Sequence, residues 1–372
     1  MNSLGTEFRV ISSLAGIEQL AHDWRWLWHS DPTATVFQRY EWVFTWLDVY
    51  SNHVDEIFIV ACYHEGALVG LCPFYLRYSR GLGFGQKQLL FVGTGEPERI
   101  EVAAEYMNLL CLSAQRPVCL ELIARALESR RDVGAAMLFD MMEVSAEPLV
   151  AALANKLPRG RHCPAGFNYA IAVSDDRLPK TFSGAVRRSA GNKLNRLQRL
   201  SGFNVVLAQD LATTDRLFQA MVELHNRRWQ SKGKSGAFAE NIFRCFHRRV
   251  IELLLPLNAV LLFGLEVDGD IIAVHYCLLS AGRCHYYQGG IDEEFRPNVS
   301  PGLMCHIIAH QECSKRGIAS YDLMKGLEGE YKERLAERQH QLVSYCGFRD
   351  NNELLKYAAN TVTRRISRKR KY

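Results

Sequence analysis

The sequence predicts an α/β protein of two tandem domains, each a mixed central β-sheet flanked by helices. Three observations predict it. Segments of strand length and alternation interleave with longer segments of helical spacing. A strand–turn–strand pattern occurs twice, as IFIVACYHEGALVGLCPFYL (57–76) and AVLLFGLEVDGDIIAVHYCLL (259–279), each turning at an acid–Gly pair. Further on, SRRDVGAAMLFDMM (129–142) echoes SKRGIASYDLMKG (314–326): a basic-tipped helix end, a glycine, then a strand bearing Asp140 or Asp322. Two echoes in the same order indicate a duplication, and their unequal offsets place an insertion in the first half. The Pro-, Gly- and Arg-rich segment from Leu157, running on to about Asp176, reads as the connection, giving domains over 1–175 and 176–372.

Taken in order, residues 7–12 read as a strand and Leu14–Trp28 as a helix with Leu20, Trp24 and Leu27 on one face. TVFQRYEWVFTWLDVY (35–50) reads as an aromatic-rich helix entered through extended Val36-Phe37, its aromatics forming core or groove wall. Ile57–Tyr63 and Ala67–Tyr75 form a hairpin about His64-Glu65-Gly66. A glycine-rich stretch, Arg80–Gly85, leads to a strand at Gln88–Val92, and Gly93-Thr94-Gly95 reads as a turn. Met107–Cys111 is expected as strand, Val118–Arg130 as helix, Ala135–Met141 as buried strand, Pro148–Leu157 as helix and Tyr169–Val173 as strand. Ser183–Leu200 is a basic helix carrying Arg187, Arg188, Lys193, Arg196 and Arg199. Strand Phe203–Leu207, helices Leu211–Gln230 and Asn241–Leu255, and a meander over 258–288 follow.

Composition bounds the function. The 372 residues are 48% hydrophobic and 23% charged, with no apolar run long enough to span a membrane. The start lacks a secretory pattern, so a cytoplasmic location is expected, with peripheral contact at the inner membrane as a variant. Eleven scattered cysteines, none at zinc spacing, read as buried thiols with no metal site. The tail RRISRKRK (364–371) holds six basic residues and no acid, so the formal charge of +5 falls to −1 without it. That tail suits an anionic lipid or nucleic acid surface, or is a solvated helix end.

The stretch SPGLMCHIIAHQECSKRGIASYDLMKGLEGEYK (300–332) concentrates the chemistry. Ser300 suits a helix cap, Pro301 the first helical position, and Gly302 a close approach of ligand to backbone. Leu303, Ile307, Ile308 and Cys313 recur at helical spacing. A helix N-terminus beside a strand end suits a phosphate-bearing donor. Asp322 is a candidate base or cation-orienting group, or a structural partner of Lys325 or Lys332. His225, Arg228 and Trp229 share a helix face suited to an acceptor pocket. Tyr286 and Tyr287 point to opposite sides of their strand, so at most one of them lines a cleft. The basic 187–199 helix suits a phosphorylated acceptor or RNA, or is solvated surface. His275 reads as a satisfied core or cleft histidine.

The order hairpin, meander strand, loop, helix, strand resembles the GNAT acyltransferase fold. The residues that carry the resemblance are LEVDGDIIAVHYCLL, GRCHYYQGGID, SPGL and YDLMKGLEGEYK, with TVFQRYEW and EGALVGLCPFYL…LLFVGTG in the first half. Together they resemble the CelD/BcsL (BioF2-like) acetyltransferases, related to the FemAB peptidyltransferases. The resemblance implies tandem GNAT-like domains and an N-acyltransferase of cell-envelope or exopolysaccharide biosynthesis. It implies Lys332 and Tyr331 as catalytic residues, with Asp322. An acetyl-CoA or other acyl-CoA donor would sit at Arg296, Ser300, Gly302 and Leu303, and a saccharide, peptide or small-molecule amine acceptor at His225, Arg228, Trp229 and Tyr287. The glycine-rich pyrophosphate loop of ordinary GNAT enzymes is replaced here by FRPNVSPG (295–302), so the FemAB alternative, an aminoacyl-tRNA donor held by the basic helix and tail, stays open. So does a non-catalytic accessory role in polysaccharide synthesis.

Overall fold

A computed structural model describes residues 5–79, 85–280, 282–296 and 298–369, with the last eight described for their backbone alone. Most of the glycine-rich stretch Arg80–Gly85 and the side chains of the basic tail 364–371 lie outside the described residues. In chain order the strands are β1 (Thr6–Ile11), β2 (Glu56–His64), β3 (Ala67–Ser79), β4 (Gln86–Phe91), β5 (Leu110–Cys111), β6 (Val133–Met142), β7 (Arg161–Ala172), β8 (Asn204–Leu207), β9 (Val260–Val267), β10 (Asp270–Ser280), β11 (Arg283–Ile291), β12 (Ser320–Gly326) and β13 (Glu337–Phe348). The helices are α1 (Leu14–Gln19), α2 (Ala21–Ser30), α3 (Tyr40–Val49), α4 (Arg116–Ser129), α5 (Glu143–Ala154), α6 (Gly184–Gln198), α7 (Leu211–Gln230), α8 (Asn241–Leu254), α9 (Pro301–Lys315) and α10 (Asn351–Lys369).

The chain divides into two compact units. One comprises Met1–Glu96, Val102–Ala165 and Gln341–Tyr372, the other Pro97–Glu101 and Gly166–His340. This differs from the expected 1–175 and 176–372, and hydrogen bonding explains why. The C-terminal strand β13 pairs antiparallel with β6, from Leu342↔Met142 to Phe348↔Ala135, so the end of the chain completes the first unit's sheet.

In the first unit the strand order is β1-β2-β3-β4-β6-β13, with β5 beside β3. β4 and β6 run parallel and the other neighbours antiparallel. The TVFQRYEW segment enters α3 through a 3-10 turn at Val36–Gln38. Trp24 and Trp28 donate their indole N–H groups to Gln38 O (2.9 Å) and Thr35 O (2.7 Å), so the buried aromatics are core. The expected Leu14–Trp28 helix breaks at Leu20 into α1 and α2, and the Met107–Cys111 strand narrows to β5.

In the second unit the order is β7-β12-β11-β10-β9-β8. Here β11 and β12 are the parallel pair, and the remaining neighbours are antiparallel. Hairpin, third strand, helix and a parallel fourth strand therefore recur as β2-β3-β4-α4-β6 and β9-β10-β11-α9-β12, in the places of the two sequence echoes. α9 is buried on every side from Met304 to His310. The apolar stripe expected from Leu303, Ile307, Ile308 and Cys313 is thus one part of a central helix. α7 lies against β11 with no room between: a Cβ on Gly290 would meet Met221 O at 2.5 Å and Met221 Cα at 2.9 Å. Backbone cannot retreat as a side-chain tip can, so Gly290→Ala should cost about 1–3 kcal/mol of overpacking. Urea unfolding at constant m-value checks this, and an unchanged midpoint would contradict the close packing of α7.

Candidate functional site

The site starts from a defect in the second unit's sheet. β11 and β12 pair at Arg283↔Ser320, Cys284↔Tyr321 and His285↔Asp322, and no further. Yet β11 runs on to Ile291 and β12 to Gly326. Two irregularities divert them. On β11, Cys277 faces Tyr286 and Tyr276 faces Gln288, leaving Tyr287 as a bulged extra residue. On β12 the register with β7 shifts between Asp322 and Lys325, and Met324 takes φ 63°. Beyond His285 and Asp322 the facing strand edges carry no ladder between them. The result is a wedge between the two strands, with side chains such as Lys332 and His225 meeting parts of its main chain.

Side chains from four elements floor this wedge. His306, in the second turn of α9, has its Nδ1 2.9 Å from Tyr321 Oη of β12. Its ring centroid lies 4.9 Å from that of Tyr286 on β11 and 4.8 Å from that of His275 on β10. Tyr331 stands at the mouth, 51% exposed and 6.4 Å from His306 between ring centroids. Lys332 donates to Lys325 O while its stem lies on Gly326. Glu333 anchors this turn, accepting from Tyr169 Oη (3.0 Å), Gly329 N (3.0 Å) and Arg338 (2.7 Å). The Tyr-Lys pair is therefore held at the wedge opening.

A second cluster lies at the N-terminus of α9. Lys193 of α6 donates to Ser300 Oγ at 2.6 Å. Arg196 of α6 and Arg199 at its C-terminal cap, with Leu200, Arg296, Asn298 and Val299, line an open groove of about 720 Å³. Unpaired amides at a helix start and convergent guanidinium groups are complementary to phosphate oxygens. α6 reads from sequence as a separate basic surface, yet packing brings it to the donor-side residues. Its Lys193/Arg196/Arg199 spacing, on one face of the helix, was the available signal.

The other expected residues fall as follows. Ser300 adopts φ 57°, in the left-handed region, and makes no side-chain cap; its hydroxyl accepts from Lys193 instead. A Cβ on Gly302 would meet Ile291 Cδ1 at 2.7 Å, so this glycine serves the packing of α9 on β11. Leu303 is half-buried against the core. Asp322 is 1% exposed; its Oδ1 accepts from Met324 N (2.7 Å) and its Oδ2 lies 3.5 Å from His285 Nδ1. This carboxylate braces the β12 bulge from a buried position. His225 bridges Gly289 O (3.1 Å) and Ala237 N (3.2 Å), an arrangement that puts its proton on Nδ1. Arg228 pairs with Glu293 at 2.8 Å; burial raises the Tyr331 phenol above its ordinary range, and the nearby Arg228 charge offsets only part of this. Trp229 lies 6.1 Å from the His225 ring and under Lys234. Tyr287 Oη lies 3.0 Å from His247 Nε2, on the opposite side of β11 from the wedge-lining Tyr286.

Residues 184–333, from the start of α6 to the anchoring Glu333, match the family model of the acetyltransferase (GNAT) domain. This segment of the chain is similar to that domain. Solved structures share the fold of the whole chain at low identity. FemX aligns with a TM-score of 0.58 at 11% identity, over 87% of this chain and 95% of that one. The C-terminal domain of a candidate lysylphosphatidylglycerol synthetase from Agrobacterium fabrum aligns with a TM-score of 0.53 at 11% identity, over 94% and 96%. No curated protein matches the sequence. Among the described residues, no helix is long and apolar enough to cross a membrane and no cluster of side chains suits a metal ion. Cys163 is half-buried and Cys245 exposed, while the other cysteines are buried.

Three histidines of the second unit are kept neutral by burial. Burial lowers His247 to about 3, and it lowers His306, with help from the Lys332 charge, to about 3. His275, fully buried, is pushed well below the ordinary range by burial and then by His306. Their folded pKa values lie below the unfolded value near 6.5, so the unfolded chain binds more protons as the pH falls. Their stability contribution is complete above about pH 6.5 and declines below it, by about 1.4 kcal/mol per pH unit per imidazole. Denaturant midpoints should fall steeply between pH 6.5 and 5. A flat profile over that interval would contradict the buried neutral cluster.

Proposed function

We propose that the GNAT domain transfers an acyl group from a thioester of the acyl-CoA kind to an amine acceptor. The observation that carries this reading is the groove lined by Arg196, Arg199 and Arg296, with Lys193 donating to Ser300 just ahead of α9. Phosphates of the donor would take the groove, and its acyl arm would extend along β11 into the wedge. There the reacting carbon lies under Tyr331 and Lys332. Tyr331 protonates the leaving thiolate, and Lys332 steadies negative charge at the mouth. The acceptor amine enters on the Arg228 side, where Glu293 and Arg228 present paired charges. The CelD/BcsL resemblance supports cell-envelope or exopolysaccharide material as the acceptor class, and the absence of glycine-rich loop geometry is offset by side-chain cations. The FemX-like fold also suits a transferase working on envelope material at the inner membrane face.

A second reading, an aminoacyl-tRNA donor, is favoured by one feature. α6 continues its basic face through Arg188, beyond what one coenzyme's phosphates need. Calorimetric titration separates the two. With acetyl-CoA or coenzyme A, saturable binding should appear and weaken at least tenfold in the Arg196→Glu/Arg199→Glu double variant, since each charged hydrogen bond is worth about 1.5–3 kcal/mol. No binding of either ligand, with salt-sensitive binding of tRNA, would replace the first reading by the second. Tyr331→Phe should lower kcat about 10²-fold, as expected on losing a general acid, with donor affinity unchanged. Retention of full activity would remove Tyr331 from the mechanism.

A further inference from the structure

We propose that His306 is the oxyanion donor of this site, a neutral imidazole whose Nε2–H meets the carbonyl oxygen of the acyl group in the wedge between β11 and β12. The inference rests on the transferase reading above and assigns it a residue on α9 that stands among apolar neighbours in the sequence.

Location is the first argument. His306 touches Tyr321, whose neighbour Asp322 makes the last paired rung of β12, and Tyr286, the first β11 residue past its own last rung. The ring thus sits where the strands part. It is 5% exposed and is walled by His275 and Tyr286, so its orientation is fixed before any ligand arrives. An oxyanion donor requires such preorganisation in a site shielded from water.

The tautomer is the second argument. Tyr321 is fully buried, and burial pushes its phenol well above the ordinary range, so it keeps its proton. A buried hydroxyl with no acceptor is costly. His306 Nδ1 is the acceptor within reach, at 2.9 Å. With the phenol donating to Nδ1, the imidazole proton resides on Nε2. Tyr321 thereby acts as a positioning residue: it sets which ring nitrogen presents a proton to the wedge. Burial and the Lys332 charge oppose protonation of His306, which makes it a poor base and leaves donation as its chemistry.

The step balances without a further reactant. The acceptor nitrogen forms a bond to the carbonyl carbon, the C=O π pair moves to oxygen, and that oxygen accepts from His306 Nε2–H. The tetrahedral intermediate collapses by re-forming C=O and breaking the bond to the leaving sulfur, which takes the phenolic proton of Tyr331. The surplus proton on nitrogen passes through water back to the Tyr331 phenolate. Thioester and amine become amide and thiol, and His306 keeps its proton throughout.

Two measurements on the full chain test this. With ¹⁵N-labelled histidine, the His306 signals, assigned by their loss in His306→Gln, should report a neutral ring protonated at Nε2 from pH 6 to 8. A ring protonated at Nδ1 would overturn the assignment. With acetyl-CoA as donor and hydroxylamine as the amine, His306→Phe should lower kcat about 10²- to 10³-fold, the effect of losing one oxyanion donor, with coenzyme A affinity unchanged. His306→Gln retains an N–H donor and should stay within about tenfold of the wild type. Tyr321→Phe, which frees the tautomer, should fall between the two and carries the test if His306→Phe does not fold. A kcat within threefold of wild type in His306→Phe would sink the oxyanion role alone. Wild-type protein that binds coenzyme A and forms no hydroxamate would sink the transferase reading, and this inference with it.

Discussion

Parallel neighbouring strands that stop pairing after three rungs must find other partners for their main-chain groups or leave them to a ligand. In the second unit this constraint arises from two local irregularities, the bulged Tyr287 on β11 and the shifted register around Met324 on β12. Everything assigned to the site follows from that parting. It creates the wedge, it places the ring of His306 at the wedge floor, and it lets the β12 strand end in the turn that carries Tyr331 and Lys332. Asp322 matters to this geometry: its carboxylate holds Met324 N in the bulge and faces His285 across the final rung.

Electrostatics divides the site along α9. At the N-terminus the helix end and four cations from α6 and the preceding loop favour anions. One and a half turns along, roughly 8 Å by helical rise, the surroundings are His275, Tyr286 and Tyr321, where burial keeps every imidazole neutral. A donor with a charged head and an uncharged acyl arm is complementary to that gradient. The first unit repeats the strand order and the parallel pair β4/β6. Its corresponding helix, α4, starts at Arg116, which lies 3.9 Å from the buried Asp31 and is engaged within its own unit.

Much of this was legible in the sequence. Both hairpins were, because period-2 alternation and acid–Gly turns are local signals. So was α9, through Ser300-Pro301 and Gly317. β13 was not: its partner β6 lies about two hundred residues earlier, and no local pattern announces a pairing across that distance. Depth was equally hidden. Strand alternation gives the side on which Asp322 points but not that it is sealed beneath a bulge. Ser300 looked like a cap because its type suits one, whereas its left-handed backbone turns the hydroxyl to Lys193. His306 was passed over because a histidine within CHIIAHQ has the spacing of core, and its role depends on Tyr321 and Tyr286 arriving from two other strands. The basic α6 was visible as charge; that its cations meet the α9 N-terminus is a product of tertiary packing.

The central claim is that one ligand spans the cationic groove and the parted strands. Hydrogen–deuterium exchange of the full chain with and without coenzyme A tests it most directly. Protection is predicted in peptides covering Gln288–Ile291 and Gly302–Met304, with the first unit's α4 and β4 unchanged. Saturating ligand that leaves those peptides unprotected, or protects α4 in their place, would contradict the account.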